Sequence, residues 1–207
     1  MLSVQNLSCR RSGRIVFRDL GFDLGAGGFL LVTGANGSGK SSFLRLLAGL
    51  LEPETGQVLW QKLPIADDPA TYRAQLHYIG HLDAVKPSLT VREMLAYWCA
   101  LRGTAQRGGE ETLEVFGLSS LADSQARFLS AGQKRRLSLT RLVLNQAPLW
   151  LLDEPSSALD AAGQKLLMAQ IAKHRATGGI VIAASHDALD IDDAQRLDMK
   201  IYVKARV

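Results

Sequence analysis

The chain has 207 residues, is 47% hydrophobic and 21% charged, and carries a formal net charge of +4 at pH 7. These values are typical of a globular protein with one domain, or one domain with an insertion, and exclude a disordered or fibrous chain. The two cysteines, Cys9 and Cys99, lie far apart in sequence, which disfavours a disulfide scaffold and fits a reducing compartment. The mild positive charge suits an anionic small molecule, an acidic lipid surface or nucleic acid, and does not choose among them.

No segment of the sequence is expected to enter a membrane. The first residues lack a basic region followed by an apolar run, so no signal peptide is predicted. The longest uncharged stretch, residues 24–39, is interrupted by glycines and polar residues, whereas a spanning helix needs about 20 apolar residues. Any role at a membrane is therefore expected to come through a partner.

The first part of the chain alternates apolar runs with turn signals. Apolar residues at two-residue spacing predict strands over residues 2–7 and 15–22. The continuous apolar run Phe29–Thr33 predicts a strand buried on both faces, and the apolar spacing after the next turn predicts a helix over residues 40–51. Strand, glycine turn and helix in this order are typical of an open parallel sheet.

The middle of the chain, residues 82–146, is more helical. The pattern Ser-x-x-Gln beginning at Ser130 is a capping box and predicts the start of a helix there. Apolar runs at residues 149–152 and Ile180–Ala184 then predict strands on either side of a helix over residues 161–175. We therefore expect one α/β domain that is interrupted by a helical insert.

The turn after the third predicted strand matches the phosphate-loop pattern G-x-x-x-x-G-K-[ST]. Glycines let backbone N–H groups fold around a phosphate chain, and the N-terminus of the following helix adds its positive dipole end. Lys40 is expected to reach the β- and γ-phosphates of a nucleotide, and the Ser41 hydroxyl to bind Mg²⁺. The alternative, a flexible glycine loop, does not explain a position between a buried strand and a helix. The motif reads Gly34, Ala35, Asn36, Gly37, Ser38, Gly39, Lys40 and Ser41.

Two carboxylates follow the predicted strand at residues 149–152. Beside a phosphate loop, a carboxylate at the end of a neighbouring strand holds the metal, and we predict this role for Asp153. Glu154, one residue further, is predicted to face an attacking water as general base. Without the phosphate loop, the same pair would be read as ordinary solvated acids.

Three further motifs resemble those of the ATP-binding-cassette ATPases, and the resemblance covers nearly the whole chain. Leu129-Ser130-Ala131-Gly132-Gln133 resembles the LSGGQ signature, with alanine in the third place, and Ser157-Ala158-Leu159-Asp160 resembles the loop that crosses the dimer interface. His186 resembles the switch histidine that contacts the γ-phosphate. The resemblance implies a phosphate-loop α/β fold with a mostly parallel, RecA-like core and an N-terminal antiparallel β subdomain over residues 1–80 and 147–207. It implies a helical subdomain over residues 82–146.

Two positions depart from the common pattern of that family. Arg11 stands where the family has the aromatic residue that stacks on adenine; a guanidinium can also stack on a base, and Phe17 is a second candidate. His81 stands where the family has the glutamine of the Q-loop, which contacts Mg²⁺ or the attacking water and the membrane subunit. With this histidine, the sequence resembles the ATP-binding subunit of the haem-exporter-type complex for cytochrome c maturation.

The resemblance implies an assembly as well as a fold. Two ATPase chains would sandwich two ATP molecules with Mg²⁺, and Lys40, Ser41, Asp153, Glu154 and His186 would come from one chain. Ser130 and Gly132 would come from the other, with Asp160 in the loop between them. A separate permease would complete the complex at the cytoplasmic face of a bacterial inner membrane, where ATP hydrolysis would serve the biogenesis of c-type cytochromes.

Other functions remain as alternatives. The chain could be the ATPase of another transporter, or a soluble cassette ATPase acting on nucleic acid or the ribosome, but such soluble proteins usually carry two cassettes or a long coiled-coil insert. No nucleic-acid partner is therefore expected. A non-hydrolysing regulator would be expected to have lost Glu154 or His186, and a GTPase would need an Asn-Lys-x-Asp motif, which the sequence lacks.

Overall fold

A computed structural model describes residues 1–103, 109–186 and 191–202 of the chain. Within them lie nine strands and seven α-helices. In chain order they are β1 (Leu2–Arg11), β2 (Arg14–Leu24), β3 (Phe29–Thr33), α1 (Lys40–Leu47), β4 (Thr55–Trp60), β5 (Leu63–Pro64), α2 (Pro69–Ala74), β6 (Leu76–Ile79), α3 (Val91–Leu101), α4 (Gly109–Val115), α5 (Ala131–Leu139), α6 (Arg141–Leu144), β7 (Leu149–Asp153), α7 (Ala161–Ala176), β8 (Ile180–Ala184) and β9 (Gln195–Asp198).

The chain divides into two units. The first comprises Met1–Gly80, Pro148–Pro155 and the described part of His174–Val207, and the second comprises His81–Ala147 and Ser156–Lys173. Residues 147–207 are all predicted from sequence to belong to the first unit, whereas Ser156–Lys173 groups with the helical unit. The reason is local packing, because the backbone of this segment lies directly against the helix that begins after Ser130.

The first unit contains both sheets. The N-terminal sheet is antiparallel with strand order β2-β1-β4-β5. A two-residue turn at Ser12 and Gly13 joins β1 to β2, and both residues have positive φ angles, 47° and 78°, as a hairpin turn matching the strand twist requires. Together with the parallel sheet of the same unit, this antiparallel sheet confirms the predicted α/β fold.

The second sheet is parallel with strand order β6-β7-β8-β3-β9. Its central strands read as continuous apolar runs because both faces are covered, and every residue of β7 and β8 is buried. Thr33, at the end of β3, pairs with Asp198 of β9, and Val32 pairs with Ala184 of β8. Parallel pairing places the carboxyl ends of these strands along one edge.

Helix α1 follows β3 and is shorter than the predicted helix over residues 40–51. It ends at Leu47 because Gly49 adopts a left-handed φ of 64°, which only glycine adopts without steric cost. The N–H of Leu50 donates to the Arg45 carbonyl at 2.9 Å and that of Gly49 to Leu46 at 3.0 Å. These are the two hydrogen bonds of a Schellman cap.

The second unit is helical. Its helices α3 and α5 both begin with capping boxes, at Thr90 and Ser130. Each cap satisfies two backbone N–H groups that would otherwise lack a partner at a helix N-terminus. No helix in the described ranges is both long enough and apolar enough to cross a bilayer.

Candidate functional site

Three chemistry-bearing segments follow strands of the parallel sheet. The phosphate loop follows β3, Glu154 follows β7, and His186 lies two residues after β8. On the other side of β3, Met199 follows β9. Because the carboxyl ends of parallel strands share an edge, the fold collects these groups there, which is where ligands bind in open α/β sheets.

The phosphate loop depends on backbone angles that favour glycine. Gly34, Gly37 and Gly39 have φ angles of 144°, 79° and 101°. A Cβ atom on Gly39 would lie 2.5 Å from Cγ1 of Val16, so a side chain at this position would also push β2 away from the loop. The loop geometry therefore requires the glycines that the sequence motif contains.

The start of α1 is left open for a ligand. Gly39 occupies the N-cap and offers no side-chain cap, in contrast to the capping boxes of α3 and α5. The Ser38 hydroxyl is buried within the loop and finds no hydrogen-bond partner among the described residues. Uncapped N–H groups at a helix N-terminus and an unpaired buried hydroxyl fit an anion such as the phosphates of ATP.

Lys40 is held at the centre of the loop. Its side chain is 7% exposed, and its Nζ donates a hydrogen bond of 2.7 Å to the carbonyl oxygen of Gly34. The same Nζ lies 3.8 Å from Oε1 of Glu154. The ammonium is thus fixed inside the loop, at the position where phosphate oxygens would enter.

Glu154 lies next to both Lys40 and His186. Its Oε2 lies 2.9 Å from Nδ1 of His186. The Glu154 side chain is 13% exposed, whereas the His186 side chain is 61% exposed. With the proton on Nδ1, the imidazole donates to this carboxylate. Lys40 and His186 therefore hold the two oxygens of Glu154 from different directions.

Asp153 and Ser41 are the predicted metal ligands. Asp153 is buried at 2% exposure, and Ser41 stands in the first turn of α1, half-buried. Burial raises the pKa of the Tyr78 hydroxyl, and the negative charge of Asp153 contributes to the increase. One carboxylate and one hydroxyl are the oxygen donors that Mg²⁺ takes from a protein when phosphates and water complete its shell, so the residues fit this ion.

The signature segment lies in the second unit. The Ser130 Oγ accepts the N–H of Gln133 at 3.2 Å, and Oε1 of Gln133 accepts the N–H of Ser130 at 2.8 Å. Ser130 thereby uses an acceptor lone pair for the cap and retains its O–H as a donor. A Cβ on Gly132 would lie 2.7 Å from the carbonyl oxygen of Ala158, so the predicted interface loop packs against the signature helix.

Four predicted site residues lie outside the clusters described above: Asp160, His81, Arg11 and Phe17. Asp160 accepts the N–H of Gly163 at 2.8 Å, so its carboxylate caps the first turn of α7. His81 is exposed at the start of the second unit, and Arg11 is exposed at the end of β1. Phe17, by contrast, is fully buried and packs edge-on against Phe43 at 6.0 Å between ring centroids. Its ring is thus unavailable for stacking on adenine, which corrects that candidate.

One ion pair in the second unit has no counterpart among the predictions made from sequence. Arg135 follows the signature segment, is 3% exposed, and lies 3.0 Å from the carboxylate of Asp83. It therefore ties the signature helix to the loop that begins at His81. The sequence signal was weak, because a run of basic residues on a short helix is usually solvated.

Comparisons with known proteins agree with this geometry. The sequence pattern of the ABC transporter family matches residues 17–157. The chain is 48% identical to the cytochrome c biogenesis ATP-binding export protein CcmA of Paramagnetospirillum magneticum, over 98% of this chain and 95% of that protein.

Solved structures share the fold. An ATP-binding subunit of an ABC transporter superposes with a TM-score of 0.80 at 28% identity, covering 89% of this chain and 79% of that one. A dimeric ATP-binding cassette in a post-hydrolysis state, bound to ADP and Pi, has a TM-score of 0.79 at 23% identity, over 90% and 88% of the two chains. The chain therefore belongs to the ABC transporter family, as an ABC ATPase related to the ATP-binding export proteins of cytochrome c biogenesis.

Proposed function

We propose that this chain is the ATP-hydrolysing subunit of an ABC export complex that serves the biogenesis of c-type cytochromes. The observation that carries the proposal is the cluster of Lys40, Glu154 and His186 beside the uncapped phosphate loop. A cluster of this kind can position a triphosphate and accept a proton from water at one place. The name of the relative in Paramagnetospirillum magneticum supplies the biological process.

Glu154 is the general base in this proposal. As water attacks the γ-phosphorus, its proton passes to the Glu154 carboxylate, and the bond from that phosphorus to the β–γ bridging oxygen breaks with ADP as the leaving group. His186 donates to Oε2 of Glu154 and orients it. Lys40 exchanges its hydrogen bond to the Gly34 carbonyl for phosphate oxygens, since a charged acceptor binds an ammonium more strongly than a carbonyl does.

Ser41 and Asp153 would hold Mg²⁺. The ion supplies charge neutralisation at the β- and γ-phosphates when it is bound. Asp153 is preorganised for this role by its position at the buried end of β7.

We further propose that the complete site needs two copies of the chain. Ser130 retains a hydroxyl donor, and α5 presents its N-terminus at the same point, so both can stabilise a γ-phosphate. Gly132 and Asp160 shape this surface, through the contact of Gly132 with Ala158 and the cap on α7. The dimeric state of the solved ATP-binding cassette supports this arrangement.

A separate membrane permease is the proposed partner, which places the chain at the cytoplasmic face of a bacterial inner membrane. His81 is the proposed coupling residue, because it is exposed and its loop is joined to the signature helix by the ion pair between Asp83 and Arg135. An imidazole offers one donor and one acceptor and can replace the amide of glutamine.

The decisive experiment is co-expression with the permease subunit of a cytochrome c biogenesis export complex, followed by purification from membranes and an ATPase assay. We expect co-purification and ATP hydrolysis that the permease stimulates. His81→Gln should retain the stimulation and His81→Ala should lose it, whereas Lys62→Ala, an exposed position in the first unit, should behave as the parent protein. An ATPase found only in the soluble fraction, with unchanged turnover beside the permease, would contradict the export function.

A further inference from the structure

Tyr78 lies on the strand next to the one that ends in the predicted metal ligand Asp153. In the parallel pairing of β6 with β7, Tyr78 stands opposite Leu151 and Ile79 stands opposite Leu152. Opposite residues point to the same face of a sheet, and side chains alternate along a strand, so Tyr78, Leu151 and Asp153 share one face. Leu151 belongs to the hydrophobic cluster that contains the buried residues of α1, and Tyr78 packs against that cluster. The shared face is therefore the one that α1 covers.

The phenol ring of Tyr78 leans toward the carboxyl end of its strand. A Cβ on Gly80 would lie 3.4 Å from the Tyr78 hydroxyl oxygen and 3.5 Å from two carbons of its ring. When the strand pairing is continued, position 80 stands level with Asp153, and neighbouring strands are about 4.7–4.9 Å apart. The hydroxyl thus reaches the level of the Asp153 carboxylate. Burial raises the pKa of Tyr78, and the charge of Asp153 raises it further, which agrees with this placement.

Arg45 contacts the same hydroxyl from α1. Its guanidinium donates a hydrogen bond to the Tyr78 oxygen, an interaction that opposes the effect of burial on the pKa of the phenol. Arg45 stands four residues after Ser41, so the two side chains lie on one face of α1, and helical side chains lean toward the N-terminus. Both predicted metal ligands, Ser41 and Asp153, therefore lie close to the pair formed by Tyr78 and Arg45.

We propose that Tyr78 is a positioning residue for Asp153 and that Arg45 holds Tyr78 in place. This inference rests on the proposed ATPase function and adds the residues that orient one of its metal ligands. A guanidinium can only donate hydrogen bonds, so the phenol oxygen accepts from Arg45, and the phenol O–H can be donated to an oxygen of Asp153. This bond fixes the rotation of the carboxylate and directs its other oxygen to the metal. Hydrogen-bond partners of metal ligands typically contribute about 10- to 100-fold to metal affinity.

The test measures metal binding separately from hydrolysis. The full chain is loaded with one equivalent of a non-hydrolysable ATP analogue, and Mn²⁺ binding is followed through the EPR signal of the free ion. We expect Tyr78→Phe and Arg45→Gln each to weaken Mn²⁺ binding by roughly 10- to 100-fold. The affinity for the analogue in EDTA should not change. In the ATPase assay, Tyr78→Phe should raise the Mg²⁺ concentration needed for half-maximal activity and recover most of its turnover at saturating Mg²⁺.

The double variant tests whether the two residues act as one unit. If Arg45 acts through Tyr78, then adding Arg45→Gln to Tyr78→Phe should weaken Mn²⁺ binding no further, because coupled residues are not additive. Arg45 is an exposed residue of α1, so its replacement leaves the core intact. Fully additive losses would contradict the role of Arg45 as the residue that holds Tyr78.

Two matched controls lie in the same unit. The Tyr72 hydroxyl donates to the carbonyl of Leu47, the last residue of α1, and Arg73 donates to the carbonyl of Gly49 at 3.3 Å. Tyr72→Phe and Arg73→Gln should lower stability and leave Mn²⁺ binding unchanged, because their contacts are at the far end of α1. If they weaken Mn²⁺ binding as much as Tyr78→Phe does, the placement of α1 governs the site and the role of Tyr78 is wrong.

The possible failures are distinct. A parent chain that binds the analogue neither in EDTA nor with Mn²⁺ would overturn the proposed ATPase function, and this inference with it. A parent chain that binds both, together with a folded Tyr78→Phe of equal Mn²⁺ affinity, would overturn only the role of Tyr78. A parallel loss of analogue affinity in EDTA would show that Tyr78 supports the phosphate loop and would also overturn that role.

Discussion

At the scale of single residues, Glu154 has both a predicted catalytic role and an unusual backbone conformation. Its φ angle is 49°, in the left-handed region that non-glycine residues adopt at a cost of order 1–3 kcal/mol. Its N–H donates to the Ala184 carbonyl at 2.8 Å, which fixes the chain to the end of β8. The surrounding structure thus maintains a strained conformation that directs the carboxylate toward Lys40 and His186.

The first prediction concerns the proton acceptor. Glu154→Gln keeps the size of the side chain and one acceptor oxygen but cannot take up a proton. We expect ATP hydrolysis to fall by about 10²–10⁴-fold with ATP binding retained. Turnover and ATP affinity of the purified variant test this, and near-normal turnover would remove Glu154 from the role of base.

Lys40→Ala is the matched comparison for that variant. It deletes the ammonium inside the loop, so it should weaken ATP binding itself. A reduced turnover with unchanged affinity in Lys40→Ala would contradict the phosphate role of this lysine.

At the scale of elements, the contact between α5 and the segment after Pro155 explains which glycine of the signature can be replaced. Ala131 is exposed, whereas a Cβ on Gly132 would meet the Ala158 carbonyl. Ala158 itself has a φ of 63°, which turns that carbonyl toward the helix. One alanine is therefore tolerated in this signature.

The second prediction follows from that contact. Gly132→Ala places a Cβ 2.7 Å from a backbone oxygen, which cannot move as a flexible side chain would. We expect a loss of about 1–3 kcal/mol in the free energy of unfolding, the range for overpacking, and a loss of ATPase activity. Denaturant unfolding measures the first effect. Ala131→Gly is the control and should cost no more than the weaker helix propensity of glycine, so equal losses in the two variants would contradict the steric explanation.

The third prediction concerns the junction of α7 with the parallel sheet in the first unit. His174 stacks on Trp150 with 3.9 Å between ring centroids, and its ring fills the space where a Gly179 side chain would stand. Burial lowers the pKa of His174 below its ordinary value. The unfolded chain therefore takes up this proton first, and the stability provided by the neutral ring is lost as the pH falls below the unfolded-state value near 6.5.

Replacing this histidine should make stability less sensitive to acid. His174→Phe keeps an aromatic ring against Trp150 and removes the titration, so the drop in melting temperature between pH 7.5 and 5.5 should become smaller. Lys173→Gln, an exposed neighbour on α7, serves as the control and should follow the parent protein. If the drop in melting temperature between pH 7.5 and 5.5 is the same in His174→Phe as in the parent protein, other groups dominate this pH dependence and the prediction is wrong.

At the scale of the whole molecule, the proposed composite site makes a complementation test possible. A Ser130→Arg chain keeps its own phosphate loop, and a Lys40→Ala chain keeps its own signature segment. Each variant alone should be inactive, because every site of its homodimer contains one defective part. In a mixed dimer, one site combines the intact loop of the first chain with the intact signature of the second.

The fourth prediction is therefore recovery on mixing. Random pairing of equal amounts should restore up to about a quarter of the parent activity, since half the dimers are mixed and each has one intact site. ATPase assays before and after mixing, with the permease present, measure this recovery. Sites built from a single chain would give no recovery at any ratio.

Sequence alone determined the parts of this protein whose chemistry is local. The phosphate loop, the capping box at Ser130 and the buried strand Phe29–Thr33 each follow from residue types at short spacing, and the α/β fold follows from their order. The ABC family resemblance, now established for the chain, likewise rested on contiguous motifs.

Tertiary structure decided what depends on distant segments meeting. The burial of Phe17 against Phe43, the ion pair of Arg135 with Asp83, and the approach of Met199 to the glycine loop leave no periodic signal, because each joins positions far apart in sequence. Residue propensities also could not predict the left-handed φ of Glu154, because glutamate rarely adopts it. Only the packing around β7 and β8 maintains this angle. Short-range patterns thus determined which groups bind phosphate, whereas three-dimensional packing decided how they are aimed.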